Sequence, residues 1–98
     1  MEYNIIFDNT PDADLIIRTA EANGAIIEKS DDANFGGGEV FTLIANGICA
    51  IGAIAQIFSQ LGYMRKERVI LVRPGKQIIR NITLEEAERI IQDEEQGN

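Results

Sequence analysis

The stretch VFTLIANGICAIGAIAQIFSQLGYM, residues 40–64, decides how the chain is read, because none of its 25 side chains is charged. Glu39 precedes it, and Arg65 and Lys66 follow it. That length meets the rule for a membrane span, and the flanking charges would give it a positive-inside orientation. The polar residues argue the other way. Thr42, Asn46, Gln56 and Gln60 fall on one helical line, with small Cys49 and Ala53 between them. Amides near the middle of a bilayer are costly without bundle partners. The spacing therefore predicts one long apolar helix buried in a water-soluble domain, its polar line serving as a narrow solvent or interface stripe. The competing readings are a membrane-spanning helix over 40–64 and two shorter helices broken at Gly47 or Gly52.

Toward the N-terminus, Tyr3-Asn4-Ile5-Ile6-Phe7 is a β-branched and aromatic run closed by Asp8-Asn9, and it reads as a strand. Thr10-Pro11-Asp12 offers a hydroxyl cap, a proline for the first helical position and acids for the positive helix end. The helix it starts has Ala13, Ile16, Ile17 and Ala20 on its apolar side and ends at Asn23-Gly24. Residues 25–29 form a second strand, so the first 29 residues predict a β-α-β unit whose strands pair in parallel. Residues 30–38, with three consecutive glycines, predict a flexible loop.

Toward the C-terminus, two apolar runs flank Pro74-Gly75, which suits the centre of a type II turn. The hairpin so formed would set Leu71 opposite Ile78 and Ile70 opposite Ile79. Thr83-Leu84-Glu85-Glu86 is a capping box, and Leu84, Ala87, Ile90 and Ile91 give the following helix its core side. Residues 93–98 predict a frayed acidic tail. The expected fold is a single mixed α/β (α+β) domain over residues 1–98, of order β-α-β-α-β-β-α. Its four-stranded mixed sheet would carry three helices, the central one long and apolar.

Charge narrows the function. The chain holds 16 acidic and 9 basic side chains in 98 residues, no histidine and one cysteine. The net charge is −7, distributed as −7 over residues 1–39, 0 over 40–64, +5 over 65–80 and −5 over 81–98. An acidic field repels phosphate, so no nucleic-acid partner is expected. The basic run from Arg65 to Arg80 reads as a complement to the acidic helices, with a protein partner as the next option. Without histidine, familiar nucleophile activation and the usual zinc sets are missing, so no catalytic, metal or cofactor residue is assigned. Cys49 reads as a small buried hydrophobe. The glycine loop lacks the residues of a phosphate cradle, and Glu39 stands where phosphate would sit. One cysteine and an acidic start without a secretory pattern lead to the expectation of a cytoplasmic protein.

The chain combines an acidic β-α-β start and a glycine-containing linker with an apolar helix running from Thr42-Leu43-Ile44 to Ile57-Phe58. Arg65-Lys66, Val69-Ile70-Leu71-Val72, a turn, Ile78-Ile79 and a Leu84-Glu85-Glu86-Ala87 helix follow. In this order it resembles the effector-associated constant component domains of bacterial conflict systems. The resemblance implies a non-catalytic adapter that couples a regulator to an effector, and it carries over no catalytic residues. The expected function is a protein-protein interaction module, self-association included. Its candidate surface is Thr42, Asn46, Gln56, Gln60, Arg65 and Lys66. The alternatives are a small membrane protein spanning at 40–64 and a small-ligand-binding domain.

Overall fold

A computed structural model describes residues 1–29 and 40–97. The elements are β1 (Glu2–Asp8), α1 (Ala13–Ala22), β2 (Ile26–Lys29), β3 (Val40–Asn46) and α2 (Gly47–Gln60), followed by a 3₁₀ turn (Gly62–Lys66), β4 (Arg68–Val72), β5 (Ile79–Thr83) and α3 (Leu84–Gln96). They form an α+β fold with three helices and one five-stranded sheet in the order β2-β3-β1-β4-β5, every neighbouring pair antiparallel.

The decisive stretch is not one helix. Residues 40–46 are a strand paired along its whole length with β1, and α2 occupies only 14 residues. Val40, Phe41, Thr42 and Ile44 are the β-branched and aromatic residues a pleated surface favours, whereas alanine-rich residues from 47 onward suit a helix. Asn46 marks the switch: its side chain accepts from the Cys49 backbone N–H at 2.9 Å and caps α2. Among the described residues no helix is long and apolar enough to cross a membrane, which removes the span at 40–64.

Three further expectations change. β1 and β2 do run in the same direction, but β3 lies between them and pairs antiparallel with both. The sheet therefore has five strands, not four, and is antiparallel, not mixed. The chain prefers to pair β2 with its sequence neighbour β3, which gives the split β-α-β arrangement of ferredoxin-like domains, extended by β5 and α3. The Pro74-Gly75 turn forms, with Gly75 at φ 70° and Lys76 N–H donating to the Arg73 carbonyl at 3.3 Å. The pairing beyond it is Leu71 with Ile79 and Val69 with Ile82, so one extra residue bulges from β5. α3 continues to Gln96, so residues 93–96 are helix and not a frayed tail. The glycine loop expected over 30–38 lies outside the described residues.

At the start of α1 the cap is Asp12 in the left-handed region, with no side-chain cap bond, so Thr10 does not serve as the expected hydroxyl cap. The stop at Asn23-Gly24 holds. Gly24 has φ 90°, a conformation that strains any side chain, and a Cβ there would come 3.3 Å from Cys49 Sγ, close enough that the thiol would have to shift.

One hydrophobic cluster joins the helices to one face of the sheet. Tyr3, Ile5 and Phe7 of β1, Phe41 and Leu43 of β3 and Val69 and Leu71 of β4 are buried in it, together with Ile16, Ile54, Ile57, Leu84 and Ile91 from the helices. Phe7 and Phe41 stack with ring centroids 4.8 Å apart. Small residues Gly47, Ala50 and Ala53 on the buried side of α2 let it lie close to its neighbours.

Candidate functional site

Side chains alternate across a strand, so the partners of the core residues point away from the helices. On β1, β3 and β4 these are Asn4, Ile6, Thr42, Ile44, Ile70 and Val72, all half-buried. None belongs to the cluster that joins sheet and helices. Pairing fixes two transverse rows. In one, Ile26, Ile44, Asn4 and Val72 lie side by side. In the other, Glu28, Thr42, Ile6 and Ile70 do. Ile26 is 64% exposed, and Ile78, just before β5, is 48% exposed. The described residues thus leave one sheet face open, with Ile6, Ile44, Ile70 and Val72 across its middle.

Beside Ile70 the β5 bulge places Arg80 and Asn81 where a regular strand would place one residue. Asn81 adopts φ 60°, and Arg68 Nη1 donates to its carbonyl at 3.1 Å, which holds the bulge. An open groove of about 470 Å³ results, floored by Ile6 and Ile70 and rimmed by Lys66, Arg68 and Arg80 against Asp8 and Glu67. Among the described residues Lys66 and Arg80 have no ion pair.

The other bases of the 65–80 run face α3. Arg65 meets Glu85 at 3.4 Å and lies 4.5 Å from the centre of the Phe58 ring. Arg73 and Lys76 both reach Glu94, Lys76 at 3.2 Å, and the Tyr3 hydroxyl donates to the same carboxylate at 3.0 Å. Burial opposes ionisation of Glu94, but hydrogen bonds from Arg73, Lys76 and Tyr3 outweigh it and hold the carboxyl below its ordinary value. Burial, and then the Glu94 hydrogen bond, pushes the Tyr3 phenol far above its usual range. This network pins α3 and the β4–β5 connection to β1.

The six residues expected to share one surface are divided among four places. Thr42 lies on the open face, and Lys66 lines the groove beside it. Asn46 is a helix cap. Gln56 accepts from Asn23 at 3.0 Å and Gln60 donates to Thr19 at 3.4 Å, so both amides bridge α2 to α1. Arg65 belongs to the α3 contact. Residues of the open face absent from the expected surface are Ile6, Ile44, Ile70, Val72, Glu28 and Arg80. Their signal is alternation along five different strands, which surfaces only once residues 40–46 are recognised as a strand. Among the described residues no group of three or more metal-ligating side chains converges.

Compared with known proteins, the chain matches no family model, no curated protein and no solved structure.

Proposed function

We propose that this domain is a non-enzymatic protein-interaction module of adapter type, acting in the cytoplasm, whose working surface is the open face of its sheet. The observation that carries the reading is the apolar set Ile6, Ile44, Ile70 and Val72, which lies outside the core cluster. Contiguous apolar surface rimmed by charge is what a protein-docking site presents, and it is costly to leave in water. Coupling a regulator to an effector in a bacterial defence system is the role the resemblance supplies to such a surface.

Affinity capture from the native cell with wild-type and Ile70→Asp baits tests this. The reading expects specific partners held by wild type and released by the variant, while a control Ile48→Asp bait on exposed α2 keeps them. Identical capture by all three baits would contradict it.

The groove between Ile70 and Arg80 supports a second reading, binding of a small apolar carboxylate. Thermal melting in the presence of medium-chain fatty acids, with Arg80→Ala as control, separates the two. A stabilisation that Arg80→Ala abolishes favours the ligand.

A further inference from the structure

The open face has a pattern that complements itself. β1 is the middle strand of the five, with β3 and β2 on one side and β4 and β5 on the other. One row reads Glu28, Thr42, Ile6, Ile70 and then Arg80 at the bulge. The next reads Ile26, Ile44, Asn4 and Val72, with exposed Ile78 beyond. Reversed end for end, the rows set Glu28 over Arg80, Ile6 over Ile6, Ile44 over Val72, Ile26 over Ile78 and Asn4 over Asn4, and they place the Thr42 methyl and hydroxyl over Ile70.

We propose that two copies of this chain pack open face to open face about a two-fold axis running along β1. The inference rests on the adapter reading's choice of surface and names a second copy as an occupant. Such an axis sets β2 over the partner's β5 and β3 over its β4, which is the isologous arrangement of a symmetric dimer. Ile6 then meets Ile6 on the axis and Ile44 meets Val72. Asn4 meets Asn4 and can exchange amide hydrogen bonds. Glu28 lies across from Arg80, which has no ion pair among the described residues. Face-to-face sheets sit ~10 Å apart and turn by about 30°, so long side chains such as Glu28 and Arg80 are the ones able to span the diverging edges.

Size agrees with a reversible dimer. Strands of four to seven residues, at ~3.3 Å per residue and ~4.8 Å per strand, give a face of roughly 440 Å², or about 900 Å² for both copies, the size of a weak and transient interface. One feature opposes it. Asp8 lies at the end of β1 and would approach its own copy, with Arg68 on the adjacent strand to offset the repulsion.

Sedimentation of the full chain over a dilution series up to about 1 mM tests the proposal. Wild type is expected to pass from monomer to dimer. Ile6→Asp, which puts two carboxylates on the axis, should lower the association constant by more than about a hundredfold with circular dichroism unchanged. Ile48→Asp should leave it intact. Glu28→Arg and Arg80→Glu should each weaken association about tenfold, and the two together should restore it, because the opposed pair is re-formed with signs exchanged. Asp8→Asn should tighten it by about threefold. A strict monomer throughout, or a dimer indifferent to Ile6→Asp, overturns the proposal. So does a charge swap that fails to restore association. If wild type is a strict monomer and Ile70→Asp still releases captured partners, the dimer falls and the adapter reading stands. If neither association nor capture responds to the face, both fall.

Discussion

Tyr3 shows how one side chain joins three parts of the molecule. Its ring is buried under the helices while its hydroxyl donates to Glu94 at 3.0 Å and Glu95 at 3.3 Å, and Glu94 in turn holds Arg73 and Lys76. Tyr3→Phe keeps the ring and deletes the donor, so we expect a loss of about 2 kcal/mol in chemical denaturation. The same pair sets the pH limits of stability. A phenol whose folded-state pKa is raised contributes fully below its ordinary value of 10.0 and loses that contribution as pH climbs beyond it. Glu94, held below its ordinary 4.5, contributes above that value and loses its contribution as pH falls through the lower folded-state range. Thermal melts should therefore show a plateau between these limits, and Tyr3→Phe should flatten the alkaline decline while only weakening the acid limb, because Arg73 and Lys76 still hold Glu94. Thr83 is a residue whose role its spacing alone reveals. Its hydroxyl accepts from the Glu86 N–H at 3.0 Å while Glu86 accepts from the Thr83 N–H at 2.9 Å. Thr83→Ala should cost about 1 kcal/mol, read from the same denaturation curves.

Among the elements, those with local punctuation were legible. β1 carries its alternation, α1 its apolar side and Asn23-Gly24 stop, and α3 its capping box, because each signal lies within a few residues. Residues 40–46 were not. Thr42 and Asn46 are four apart, which satisfies a helical line, yet Phe41, Leu43 and Ala45 alternate with Val40, Thr42 and Ile44, which satisfies a strand equally well. In an uncharged stretch nothing exposed contrasts with the core, so the two periods compete without a winner. Pairing with β1 over seven residues then decides in favour of the strand. The shorter α2 that remains owes its place to small residues. Ala53 is fully buried. Ala53→Leu should overpack that contact and destabilise the domain by about 1–3 kcal/mol, measurable as a lower melting midpoint with no change in oligomeric state.

At the scale of the whole molecule, strand order was out of reach of residue patterns, because inserting β3 between β1 and β2 depends on pairings between segments far apart in the chain. The charge blocks were legible, and their meaning became spatial. Part of the +5 run neutralises α3 through Arg65, Arg73 and Lys76, and the remainder, Lys66, Arg68 and Arg80, edges the open face. Of the six candidate surface residues, two fall at the open face for the same reason. Thr42 and Lys66 lie on or beside that face, while Gln56 and Gln60, drawn onto the same helical line, instead tie α2 to α1. The central claim is that the sheet face holding Ile6, Ile44 and Ile70 is where this protein meets other protein surfaces, a second copy first among them. Isoleucine methyl NMR of the full chain across a dilution series reads that face directly. The methyl signals of Ile6, Ile44 and Ile70 are expected to move with concentration while those of core residues Ile16, Ile54 and Ile91 stay fixed. Movement confined to Ile48 on α2, or no movement of the three open-face methyls at any concentration, would contradict it.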